Sequence, residues 1–151
     1  MNEYPTYIEA AIQKALTGHY GQVDKGGAPY FLHPLRVMMK MKDYPRMAAA
    51  ILHDVVEDTN TTLDDLRRLG IPEEVVEAID ALTKRKGEEY MAAMRRVAAN
   101  EIARDVKLED LQDNMRLDRL LAVTEKDLAR VAKYKRAYNF LLASFAIQPG
   151  I

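Results

Sequence analysis

The apolar residues of this chain recur at intervals of three and four, and nowhere do they alternate with polar ones over the length of a strand. This property constrains the fold most, because a helix that buries one face needs a period near 3.6 and a half-buried strand needs a period of two. No hairpin turn joins β-branched runs, and there is no internal repeat or low-complexity tract. The pattern predicts an all-α fold, a compact bundle of roughly seven to nine helices. Residues 1–151 suffice for one domain with its own core.

Caps and breakers divide the helices. Thr6 and Glu9 have the spacing of a capping box ahead of the stripe Ile8, Ile12, Ala15, Leu16 and His19. Gln22 to Tyr30 reads as a polar loop, in which Gly26 and Gly27 beside Lys25 would let backbone N–H groups approach a phosphate. Pro34 suits the first turn of a second helix and leaves His33 at its entrance. Pro45 opens the helix that carries His53, Thr62 caps a short helix ended by Gly70, and Pro72 opens another. After the basic loop Lys84-Arg85-Lys86-Gly87 come two further helices, the second running from Ile102 to Met115. A last helix follows Thr124, with Leu128, Val131, Ala132, Tyr138, Leu142 and Phe145 as its inward face.

The densest chemistry follows Ala48 to Leu52, a small apolar run that a helix would bury. His53-Asp54 and Glu57-Asp58 come next, and on a continuing helix His53 would share a face with Glu57 and Asp54 with Asp58. So many charges beside a buried run call for a counter-charge, and a bound cation is the simplest. His33 and Asp110, on other helices, complete a set of two imidazoles and two carboxylates. Such a mixed N/O set suits Mn²⁺, Fe²⁺ or Zn²⁺ better than Mg²⁺ or Ca²⁺. Four protein ligands leave a position open for water, which Glu57 and Asp58 would orient or deprotonate before protonating a leaving group. Asp110 and Asn114, four apart, share a face.

Composition narrows the partners. A net charge of -1 gives no broad footprint for nucleic acid, while leaving room for a local basic pocket that takes one phosphorylated small molecule. The absence of cysteine removes disulfides, thiolate metal sites and thiol catalysis, and fits a cytoplasmic protein. Met1 to Pro5 lacks the parts of a targeting segment, and no run is long enough to span a bilayer.

The order H…HD…D resembles the HD superfamily of metal-dependent phosphohydrolases. Gly18-His19-Tyr20-Gly21-Gln22, Lys25-Gly26-Gly27-Ala28-Pro29-Tyr30, His33-Pro34, His53 to Thr59 and Val106 to Met115 together resemble the hydrolase domain of Rel/SpoT stringent-response proteins, in the family's order. The resemblance implies an HD-type helical fold and one metal, usually Mn²⁺, held by His33, His53, Asp54 and Asp110. It implies that Glu57 and Asp58 activate the water that attacks the 3′-pyrophosphate of ppGpp or pppGpp, and that Lys25, Asn114 and Tyr134 contact the nucleotide. Because the chain ends after this domain, it resembles the stand-alone small alarmone hydrolase of the metazoan SpoT homologue type, without synthetase or regulatory domains.

One position departs from the family. Asp24 stands where an arginine usually borders the guanine, reversing the sign of the charge. Either another residue supplies base stacking, with Lys84, Arg85 and Lys86 offering charge, or the substrate is another phosphorylated nucleotide such as NADPH. A non-catalytic nucleotide sensor is the third reading.

Overall fold

Alanine at three successive positions makes the centre of this fold. In the computed structural model, which describes residues 5–145, Ala48, Ala49, Ala50, Ile51 and Leu52 have no exposed surface. Small side chains let neighbouring helices approach closely, so the helix that carries them can be covered on every side. That helix is α3 (Tyr44–Leu52). It packs against α1 (Tyr7–Gly18), α2 (Leu32–Met39), α6 (Glu73–Leu82) and α8 (Glu101–Asn114). The short α4 (Val55–Asp58) and α5 (Leu63–Arg68) link α3 to α6, and α7 (Tyr90–Ala98) and α9 (Glu125–Ser144) cover α8. No strand occurs among the described residues; the nearest approach is an isolated bridge between Val23 and Pro29. The all-α expectation holds.

Local chemistry sets most boundaries where the sequence places them. The Asp43 side chain accepts from the Arg46 N–H, and Pro45 occupies the first turn of α3. Thr62 with Asp65, and Thr124 with Asp127, form complete capping boxes. Gly70, past the end of α5, adopts φ +85°, a conformation that costs glycine little.

Two expectations fail. Thr6 makes no side-chain cap, because its own backbone is already helical (φ -65°, ψ -17°) and its hydroxyl is carried away from the third N–H. The inward face of α9 is also rotated from the stripe assigned to it. Leu128, Leu142 and Phe145 are exposed, while Tyr134, Ala137 and Leu141 face the core, together with Tyr138 from the expected stripe. Helix α9 packs mainly against α7 and α8, and its apolar residues lie on more than one face, so periodicity does not choose between them. The stretch Met1–Tyr4, for which no targeting segment is expected, lies outside the described residues. Within them, no helix is long and apolar enough to cross a membrane.

One polar contact fixes where α3 lies along α8. The buried Arg46 guanidinium, in the first turn of α3, donates to Asp43 (2.8 Å), Asp105 (2.7 Å) and Glu101 (3.0 Å). The last two belong to α8, so a slide of one helix past the other would strip a charged fork of its partners. With this register held, the end of α3 lies opposite Asp110.

Candidate metal centre

Helix α3 stops at Leu52 instead of running on through Asp58. His53 is its C-cap and its Nδ1–H donates to the Ala50 carbonyl, taking an acceptor that helical backbone would use. Asp54 then starts α4, and Asp58 N–H bonds back to its carbonyl at 2.9 Å. The expected continuous helix from His53 to Asp58 is therefore interrupted by a turn at His53 and Asp54, although Asp54 and Asp58 remain one helical turn apart. The break frees His53 and Asp54 to point together into the interior.

His33, His53, Asp54 and Asp110 converge there, with one donor atom from each lying within 4.8 Å of the others. His33 Nε2 is 2.8 Å from Asp110 Oδ1, and His53 Nε2 is 3.1 Å from both Asp54 Oδ2 and Asp110 Oδ1. Outer contacts orient every ligand. Asp113 Oδ2 accepts from His33 Nδ1 at 2.6 Å, Tyr30 donates its hydroxyl to Asp54, and Lys107 Nζ donates to Asp110 Oδ2 at 2.9 Å. Asn114 Nδ2 donates to Asp110 Oδ1 at 3.1 Å, and Arg36 grips Asp113 through two nitrogens at 2.8 and 3.0 Å.

These contacts test whether a cation fits. With protons on both Nδ1 atoms, the neutral rings turn their Nε2 lone pairs toward two largely buried carboxylates. Lone pairs facing carboxylate oxygens repel unless a positive charge lies between them, and a divalent ion bound by two imidazoles and two carboxylates provides it. Without an ion, protons must serve. Burial pulls the His33 and His53 pKa values down, but the adjoining carboxylates outweigh burial and raise both above the usual value. Burial pushes Asp54 up, yet the neighbouring His53 brings it down to about 2; Asp110 is held well below the usual range by Lys107 and the imidazoles, against its burial. The group therefore suits a divalent metal ion.

Glu57 and Asp58 lie beyond this cluster, both exposed. Glu57 accepts from the Lys84 backbone N–H. Partial burial, then the charge of Asp54, raises the Asp58 pKa, which favours a carboxyl able to give up a proton.

Two cavities flank the cluster and share Tyr134 in their walls. The larger, about 330 Å³, is lined by Lys25, Tyr30, His33, Asn114 and Tyr134 together with Val23, Asp24, Gly26, Arg116, Arg119, Leu120 and Arg130. The smaller, about 210 Å³, includes Glu57, Lys84, Tyr90, Lys107 and Lys133. All three expected nucleotide contacts, Lys25, Asn114 and Tyr134, thus border one space. Lys84 lies on the other cavity, and Arg85 is tied to Asp80 and to nearby carbonyls, so neither stands beside Asp24. The cation beside Asp24 is Arg119.

Sequence reasoning missed Asp113, Arg36, Tyr30, Lys107 and Arg119 as parts of this site. Spacing on α8 offers one signal, since Lys107, Asp110 and Asp113 follow each other by threes and Asn114 comes four after Asp110. Tyr30, Arg36 and Arg119 carry no such mark.

No family model matches the chain. It is 30% identical over 149 residues to the guanosine-3′,5′-bis(diphosphate) 3′-pyrophosphohydrolase of Aquifex aeolicus, covering 88% of this chain and 21% of that protein. It is 36% identical over 123 residues to the bifunctional (p)ppGpp synthase/hydrolase SpoT of Escherichia coli K12, covering 72% of this chain and 18% of SpoT. The chain thus spans about a fifth of the length of these curated relatives. A solved structure of a metazoan orthologue of SpoT that hydrolyses ppGpp superposes with a TM-score of 0.75 at 25% identity, covering 94% of this chain and 88% of that one. With its helices, its histidine and aspartate cluster and its relatives in agreement, the chain belongs to the HD-type hydrolase domains of the Rel/SpoT family.

Proposed function

We propose that this protein is a Mn²⁺-dependent hydrolase that removes the 3′-pyrophosphate from ppGpp and pppGpp, giving GDP or GTP and pyrophosphate. The observation that carries the reading is the inward pairing of two imidazole Nε2 atoms with two carboxylates at the foot of a cavity bordered by cationic side chains. His33, His53, Asp54 and Asp110 hold the metal in this reading, and their mixed donor set favours a first-row ion such as Mn²⁺. Bound there, a divalent ion supplies Lewis acidity toward a phosphoryl oxygen and makes water a better nucleophile near neutrality.

The chain's own residues do the rest. Glu57 orients and deprotonates the attacking water. Asp58, whose raised pKa keeps a proton available closer to neutrality, passes one to the leaving oxygen. Lys25 at the cavity mouth and Asn114 beside Asp110 hold the phosphorylated nucleotide, and Tyr134 borders it. Residues 1–151 act as one domain in the cytoplasm on a small nucleotide, as part of a stringent response, with neither nucleic acid nor membrane as partner. The case for a different base loses its ground, since Asp24 is engaged by its own loop and by Arg119.

The test is release of pyrophosphate and GDP from ppGpp by purified protein, with Mn²⁺ and with EDTA. Release that needs Mn²⁺ and stops with EDTA supports the reading. Protein shown to hold its metal and turning over neither alarmone overturns it.

A further inference from the structure

Asp24 is committed on both oxygens. Its Oδ1 accepts from the backbone N–H groups of Gly26 and Ala28, each at 2.9 Å, and its Oδ2 lies 3.4 Å from an Arg119 terminal nitrogen. The loop around it is closed further by Asp24 N–H to the Ala28 carbonyl (2.8 Å) and Gly27 N–H to the Asp24 carbonyl (3.0 Å). This loop also rests on the backbone of residue 119. A Cβ on Gly26 would come within 2.7 Å of the Arg119 carbonyl oxygen, so only glycine permits the approach.

Arg119 is fixed from the other side as well. Its second terminal nitrogen donates to the Asp113 carbonyl at 3.1 Å, and the Asp113 carboxylate is 3.7 Å away. The guanidinium is therefore held in position by two different segments while it lines the larger cavity with Val23 and Leu120. Two carboxylates offset much of its charge, which weakens it as a phosphate anchor. A planar, delocalised cation so placed is suited to lie against a flat aromatic ring, and two aliphatic side chains in the same wall suit that ring too.

We propose that Arg119 forms one wall of the base subsite, stacking its guanidinium on the purine of the bound nucleotide, with Asp24 as the positioning residue that holds it there. The inference rests on the nucleotide-hydrolase reading and adds to it the residue that recognises the base. The sign reversal at Asp24 is thus the basis of an arginine delivered from a distant part of the chain.

The experiment measures binding of GDP, CDP and inorganic pyrophosphate to the Mn²⁺-loaded full chain by calorimetry. Wild-type protein should bind GDP more tightly than CDP. Arg119→Ala and Arg119→Lys should each lose roughly tenfold in GDP affinity, since lysine keeps the charge but not the plane, and the preference over CDP should shrink. Pyrophosphate affinity should stay within about twofold, because the phosphate end of the site is untouched. Asp24→Asn should lose about threefold for GDP. The inference is overturned if wild-type protein has no preference for GDP over CDP, if Arg119→Ala keeps GDP affinity, or if it loses GDP and pyrophosphate equally, as a mere strut would. Thermal melts confirm that each variant is folded. A wild-type protein that binds GDP in this way yet hydrolyses no alarmone would overturn the catalytic reading and leave Arg119 in its role.

Discussion

Asp113 touches no metal in the proposed arrangement, yet replacing it should weaken the metal site substantially. The carboxylate is 5% exposed and accepts from His33 Nδ1 at 2.6 Å. Its remaining capacity is filled by Arg36 at 2.8 and 3.0 Å, so it cannot turn away from the ring. Asp113→Ala would leave a buried N–H without an acceptor, at a cost of about 1–3 kcal/mol. The imidazole can relieve that cost by moving its proton to Nε2 or by rotating, and either change removes the lone pair from the ligand set. Loss of such an outer partner typically weakens metal binding about 10- to 100-fold, equivalent to roughly 1.4–2.8 kcal/mol. Competition against a chromogenic chelator reads the affinity directly. The stabilisation conferred by a fixed excess of metal should fall by about 1.4 kcal/mol for each tenfold loss. Arg36→Ala is the control, since it removes the outer arginine and keeps the bond to His33. Folded Asp113→Ala protein whose Mn²⁺ affinity is within twofold of wild type would refute the claim that His33 is oriented from behind by Asp113.

Other consequences can be checked in the same protein. Asp110→Ala should abolish metal binding and destabilise the metal-free fold by about 3 kcal/mol, the lower end for a broken buried pair because Lys107 keeps 20% of its side chain exposed; urea unfolding in EDTA measures it. His33 and His53 have folded pKa values raised above 6.5, so their stabilisation is present below about pH 6.5 and fades as pH rises through the raised values. Asp54 titrates at about 2 in the folded protein against 3.8, so its stabilisation is present above pH 3.8 and fades as pH falls toward 2. Metal-free protein should therefore melt highest between these limits, and saturating Mn²⁺ should move that optimum upward, because the cation replaces the protons; a metal-free melting temperature that climbs steadily from pH 6 to 8.5 would contradict this. Glu57→Ala should lower kcat by about 10²- to 10⁴-fold while leaving Mn²⁺ affinity near that of wild type, and Asp58→Asn should do the same with loss of the alkaline limb of the pH–rate profile, which a general acid sets.

The chain's periodicity was enough for the fold class, because a stripe of period 3.6 has no stable home in a sheet. Helix starts at Thr62 and Thr124 were legible for a similar reason: a cap is a contact between residues three apart, and sequence contains local contacts whole. His33, His53, Asp54 and Asp110 were recognisable by type and order, and the fold brings one donor atom of each within 4.8 Å of the others. Other features depended on distance in space. The stop in α3 at Leu52 arises from a side-chain bond that competes with the backbone, and the inward face of α9 was chosen by the helices that cover it.

The sharpest division runs through one residue. Read in the sequence, Asp24 is an acid where an arginine belongs. In the fold it lies against Arg119, 95 positions away, and its charge is spent on that pairing and on its own loop. Sequence determined which groups exist, how they are spaced along each helix, and hence the fold class and the ligand types. Tertiary structure alone decided which charges meet, because Coulomb and hydrogen-bond energies depend on separation in space, and the chain order does not carry that for residues on different elements.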